Sequence, residues 1–347
     1  MFLPVSIMRF LCTAAAVFIW LYTEPVLSDD GSRPITVEAM AVALDPANPE
    51  QRRVGGLTYL GGLEIRSNDT SFGGYSGMTI SPNGTRLLAI SDRGTWLTLT
   101  LGYEEGELAG VTDARIAAML DVDGRPVGGR RGDAEALSRD PLGGLAVGFE
   151  HDHRISRYPP SVLGFGAVPV DLAVPEGLSL APPNKGLEAV AVLATDHYLL
   201  LTEDHRNADL DTIGWILTNP TGPAPSTAAR ISFAVSGLFH PTDATTLPNG
   251  DVLVLERRYV AVKGGSMRLR RIPREEIVAG ARLSGTTIAT IVPPLTVDNM
   301  EALAVREGSG GEILIYVMSD DNFNTGIGNF LVPSQRTLLM MFRLEES

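Results

Sequence analysis

The feature that most limits how this chain can fold is a paired segment that recurs along it at a spacing of roughly 55 residues. Each copy is a short apolar stretch opened by a small or acidic residue, a turn, and a strongly β-prone stretch ending in acidic residues. The copies read SGMTISPNGTRLLAISDRG (76–94), AEALSRDPLGGLAVGFEHD (134–152), LEAVAVLATDHYLLLTEDH (187–205), TDATTLPNGDVLVLERR (242–258) and MEALAVREGSGGEILIYVMSDD (300–321). Aligned by residue type, Gly77, Glu135, Glu188, Asp243 and Glu301 are equivalent. The period suits one four-stranded blade of a β-propeller. Two further strands per period are supplied by segments such as TWLTLTLGY and RTLLMMFRL, then ARISFAVSGL and TTIATIVPPL, which alternate apolar and polar residues as half-buried strands do.

The ends of the chain complete the count. No outer segment follows RTLLMMFRL, but VGGLTYLGGLEI (54–65) fits that slot, so an N-terminal strand is expected to complete the C-terminal blade and close the ring. The fold class is therefore all-β, a five-bladed propeller, with six blades as the alternative if residues 35–53 and a diverged stretch form another. Only Arg274 to Ala281 has a helical look.

Arg9 precedes an apolar run from Phe10 to Tyr22, and Val26-Leu27-Ser28 offers residues a signal peptidase tolerates. Residues 1–28 read as a signal peptide, 29–53 as an N-terminal extension and 54–347 as one propeller domain, exported to the periplasm or secreted, with no stable membrane span after cleavage. Cys12 is the chain's one cysteine, so removal of the leader leaves neither disulfide nor thiol chemistry. A net charge of −13 argues against nucleic acid as a partner and is compatible with binding cations.

The repeat turns scattered carboxylates into a candidate site. Its two strands are joined by tight turns such as Pro82-Asn83-Gly84 and Pro248-Asn249-Gly250, so the start of the first and the end of the second lie at one end of the blade. With the first strand innermost, Glu135, Glu188, Asp243 and Glu301 form an inner ring, the expected catalytic bases or metal ligands. Asp92, Glu150, Glu203 and Asp320 surround them as further expected metal ligands, and Arg93, Lys185, His205, Arg257 and Arg258 fall in the same loops as expected substrate-binding groups. Carboxylates crowded on an axis must be protonated, paired or neutralised by a metal. Hard oxygen donors favour Ca²⁺, with Mg²⁺ or Mn²⁺ behind it. The rival reading is a non-catalytic binding propeller whose acidic mouth holds a structural cation.

The segments GGYSGMTISPNGTRLLAISDRG, RRGDAEALSRDPLGGLAVGFEHDHRISRY and NKGLEAVAVLATDHYLLLTEDH resemble the phytase-like ("esterase-like activity of phytase") family of bacterial exported proteins. The resemblance spans about residues 54–345 and implies hydrolysis of phosphoester or carboxyl ester bonds of a small molecule.

Overall fold

The computed structural model describes residues 31–160, 164–221, 225–260, 264–324 and 335–345; the expected signal peptide lies outside them. Its strands form five sheets, antiparallel except where Arg282–Leu283 joins the third, parallel to Thr227–Phe233. The innermost strands are Tyr75–Ile80, Ala134–Arg139, Leu187–Ala194, His240–Thr246 and Met300–Glu307, one per sheet in chain order, and each packs on the next with the last returning to the first. The chain is thus a five-bladed β-propeller, and the six-bladed alternative falls away. Each of five separate apolar clusters fills one wedge between neighbouring blades, as Ile90 and Trp96 of blade one do against Val147 and Phe149 of blade two. Burial of these faces is what drives the ring together.

The hairpins within blades form where the turn residues allow them. Gly84, Gly143 and Gly250 sit at φ +77°, +86° and +90°, and each donates its amide three residues back, to Ser81, Asp140 and Leu247, at 2.8 to 2.9 Å. Glycine is the residue that occupies this region without steric cost.

Closure occurs as expected. Leu57–Arg66 pairs with Thr337–Leu344 as the fourth strand of blade five, covering the edge that Thr337–Leu344 would otherwise expose. The segment read as an N-terminal extension is built into the blades: Ser32–Pro34 adds an outer strand to blade one, and Glu38–Ala41 lies outside Leu57–Arg66 in blade five. Where a helix was expected at Arg274 to Ala281, a single 3-10 turn, Arg274–Glu276, follows Pro273. Among the described residues no helix is long and apolar enough to cross a membrane.

Candidate functional site

One irregularity, repeated in every blade, decides which side chains reach the axis. The register between the two inner strands slips near the start of the first, leaving Ser76, Glu135, Glu188, Thr242 and Glu301 as extra, unpaired residues. A β-bulge of this kind re-aims its extra side chain. Alignment by residue type places the first and fourth blades one residue too late. Ser76, not Gly77, and Thr242, not Asp243, are the structural partners of the three inner glutamates.

Asp243 occupies the next position, where the other blades carry Gly77, Ala136, Ala189 and Ala302. These residues are small because the neighbouring blade is close: a Cβ on Gly77 would lie 2.8 Å from the Leu137 amide nitrogen. In blade four the Asp243 side chain uses that proximity instead. It is fully buried and accepts hydrogen bonds from the amides of Leu303, 2.7 Å, and Ala244, 2.8 Å. Burial pushes its carboxyl well up despite both amides. Its oxygens are committed to stitching blade four to blade five, which corrects its expected role as base or ligand.

The second inner strand contributes a ring of its own. The amides of Asp92, Glu150, Glu203 and Asp320 donate to the carbonyls of Gly74, Asp133, Gly186 and Asn299 at 2.8 to 2.9 Å. In blade four the equivalent pair is His240 with Arg257. Arg257 therefore stands where the other four blades present a carboxylate. Its Nε lies 3.2 Å from Glu301, one terminal nitrogen 3.3 Å from Glu203, and the other donates to Asn299 at 2.9 Å. Asn299 in turn donates to Glu301 at 2.6 Å, and Lys185 Nζ reaches Glu203 at 2.5 Å.

Blade two, with Asp133 and Glu150, has fewer compensating cations. Glu150 accepts from the Gly186 amide at 2.8 Å, and His151 Nδ1 is hydrogen-bonded to Asp133 and lies 4.0 Å from Glu150. Glu188 is 5% exposed and lies close enough to Glu150 for that charge to add to the effect of burial in raising its pKa. The electrostatics follow the packing. Burial, then Asp133, pushes Asp92 up to about 7, and burial raises Glu150 to about 7 against the Gly186 amide. Glu135 is driven well above the ordinary carboxyl range by burial, then by Glu188 and Glu301, and Glu188 by burial, then Glu203 and Glu150. Asp320 rises through burial and Glu301, whereas Arg257 opposes the rise of Glu301. Facing these acids, and Glu301 above all, raises Arg257 itself.

The remaining expected residues lie apart. Arg258 lies over Phe239, 4.6 Å from its ring centroid, and His205 stacks on Trp215, where burial lowers its pKa. Arg93 is exposed over Phe323, 3.3 Å from the ring centroid, at the rim of a cleft of about 590 Å³ also bordered by Arg66 and Arg336. Sequence reasoning placed His151 in the loops of the mouth but missed Asp133 and Asn299. The signal for Asp133 and Asn299 was their place immediately before an inner strand, one residue outside the repeat as aligned.

Fold and site together define a five-bladed β-propeller with a buried carboxylate ring at one end of its axis, interrupted by one arginine. The family model for phytase-like proteins, described as esterase-like activity of phytase, matches residues 70–323. The chain belongs to this family. Curated proteins yield no match. Solved structures with a likeness include a candidate gluconolactonase, 12% identical over 90% of this chain and 96% of that one with a TM-score of 0.42. Others are the PQQ-bound aldose sugar dehydrogenase of Streptomyces coelicolor, 12% identical over 88% and 99% with a TM-score of 0.41, and virginiamycin B lyase of Staphylococcus aureus, 11% identical over 82% and 85% with a TM-score of 0.37. At this distance the likeness says nothing about chemistry.

Proposed function

We propose that this is an exported, divalent-cation-dependent hydrolase of phosphoester or carboxyl ester bonds in a small-molecule substrate, working at the acidic mouth of the propeller axis. The observation that carries the reading is the convergence of Glu135, Glu150, Glu188, Glu203, Glu301 and Asp320, from three blades, at one end of the axis, with Arg257 facing four of them. Membership of the phytase-like family supports the same reaction class.

The donor set fits a hard divalent cation. Carboxylates outnumber the cationic side chains among them, and crowded buried carboxylates are stabilised by a metal ion. Ca²⁺ suits such oxygens, with Mg²⁺ or Mn²⁺ as substitutes; Asp133, Glu150 and His151, with Glu188 beside them, would hold it, and when bound it would polarise a phosphoryl or acyl oxygen. Arg257 orients an anionic group through whichever of its donors the carboxylates leave free. A carboxylate left outside the metal's shell accepts a proton from the attacking water, and groups held near 7 suit that task at neutral pH.

The test is turnover on a panel of phosphomonoesters, phosphodiesters and acyl esters with added Ca²⁺ and with EDTA. Chelator-sensitive turnover that Glu188→Gln abolishes supports the reading. Absence of turnover on every substrate sinks it, and a Ca²⁺-dependent rise in melting temperature without turnover identifies a binding propeller instead.

A further inference from the structure

The mouth is unevenly neutralised around its circumference. Around Arg257 the carboxylates are answered: Glu203 of blade three by Lys185 and Arg257, Glu301 of blade five by Arg257 and Asn299, and Asp320 by the Asn322 amide at 2.6 Å. Around Asp133 and Glu150 of blade two no lysine or arginine among the described residues pairs with the carboxylates: Glu150 accepts from the Gly186 amide at 2.8 Å and Asp133 is hydrogen-bonded to His151. Asp133, Glu150 and His151 each bring one potential ligand atom to within 4.8 Å of the others, the spacing a shared metal ion requires. Glu188 stands beside the same group, 95% hidden from solvent, and burial, then the negative charges of Glu203 and Glu150, pushes its carboxyl up. Two carboxyls this close under that degree of burial need a proton or a metal ion between them.

We infer that the protein binds one divalent cation, off the axis, between Asp133, Glu150, His151 and Glu188, and that Arg257 takes the place of a second ion beside Glu203 and Glu301. This rests on the reading of the mouth as a cation site, but not on hydrolysis. The pseudo-fivefold arrangement makes the substitution legible: Arg257 occupies the position that Asp92, Glu150, Glu203 and Asp320 hold in the other blades. A guanidinium there satisfies Glu203 and Glu301 permanently, so an ion cannot use them without displacing it. The imidazole of His151 in the ligand set also has a consequence for selectivity. Nitrogen donors suit Mn²⁺ better than Ca²⁺, so Mn²⁺ competes for this site rather than being ignored by it.

Isothermal titration of the EDTA-stripped protein, residues 29–347, with CaCl₂ and separately with MnCl₂ tests the inference without reference to any substrate. One ion per chain is expected. Glu150→Gln and Glu188→Gln should each weaken binding by on the order of 100-fold or more, since even the loss of a group behind a ligand costs 10–100-fold. Glu203→Gln should leave the ion in place. His151→Gln should weaken Mn²⁺ more than Ca²⁺. Arg257→Gln should open a second, weaker site and raise the stoichiometry to two. Circular dichroism checks each variant for folding, and Asp133→Asn, at a half-buried position, serves if the glutamine variants fail to fold. No binding of either ion overturns the inference, as does binding lost in Glu203→Gln but kept in Glu150→Gln. A stoichiometry that stays at one in Arg257→Gln removes the role assigned to the arginine. One ion bound without turnover leaves the site standing and removes the hydrolase, whereas turnover without a bound ion does the reverse.

Discussion

Glu256→Gln separates a structural acid from the acids of the mouth, although Glu256 is next in sequence to Arg257. Glu256 is fully buried and receives four hydrogen bonds: 2.6 and 2.8 Å from Arg268, and 2.8 Å twice from Arg270. Both arginines are themselves buried, with Phe233 and Phe239 stacked against them. Replacing the carboxylate by an amide turns one pair of acceptors into a donor and leaves two guanidinium groups facing each other out of water. Removal of the central charge from such a buried triad costs about 3–5 kcal/mol. At roughly 2 °C per kcal/mol for a chain of this size, the melting temperature should fall by about 6–10 °C. The assay is thermal unfolding followed by circular dichroism, beside Asp123→Asn as a control. Asp123 pairs with Arg125 at 3.5 Å with side chains 64% and 78% exposed, and its loss should cost less than about 1 kcal/mol. If Glu256→Gln melts within about 2 °C of the parent, the triad does not carry the stability assigned to it. Cation stoichiometry should be unchanged in the variant.

Three further outcomes follow from the same structure. Asp92 and Glu150 titrate near 7 when folded and near their ordinary values of 3.8 and 4.5 when unfolded, so the metal-free folded chain holds protons that the unfolded chain has released. Stability in EDTA should therefore fall as pH rises from about 4 to about 7, read as a declining urea midpoint; a midpoint that climbs through this window refutes the raised values. Gly77→Val should destabilise by at least about 2 kcal/mol in urea unfolding, because its Cβ would lie 2.8 Å from the Leu137 nitrogen and 3.0 Å from its Cβ. Deletion of residues 336–347 removes Thr337–Leu344 and detaches Leu57–Arg66 from blade five, so cooperative unfolding should be lost in calorimetry.

The period, the hairpins and the closing strand were legible because each leaves a local mark: a turn glycine, a two-residue alternation, or an outer segment missing at one end and present at the other. The bulges left none. An extra residue that opposes no partner does not disturb an apolar pattern, so matching acid with acid drew Asp243 into the ring in place of Thr242. The same slip hid the significance of Arg257. Counted from the bulge, it is the counterpart of four carboxylates; counted from the last acid, Glu256, it is only the next residue along. The strands Ser32–Pro34 and Glu38–Ala41 were missed because three or four exposed residues carry no alternation to read. His151, with φ +52°, owes its place to a turn whose direction its sequence does not announce.

The closing strand also sets the order in which the molecule can come into being. Leu57–Arg66 is among the first described segments to be made, yet its partner Thr337–Leu344 is the last. Bringing the ends of so long a loop together costs about 5 kcal/mol in chain entropy, which the contacts within any single blade cannot offset in advance. Blades one to four can form their hairpins as the chain emerges, but blade five and the ring arrive in one event, after the final strand is available. Until then an unpaired strand stands at each end of an open arc, and the carboxylates of Glu301 and Asp320 have not yet met those of Glu135 and Asp92. The acidic mouth therefore exists only in the completed circle, and its full electrostatic strain is met after every wedge of apolar packing is in place to bear it.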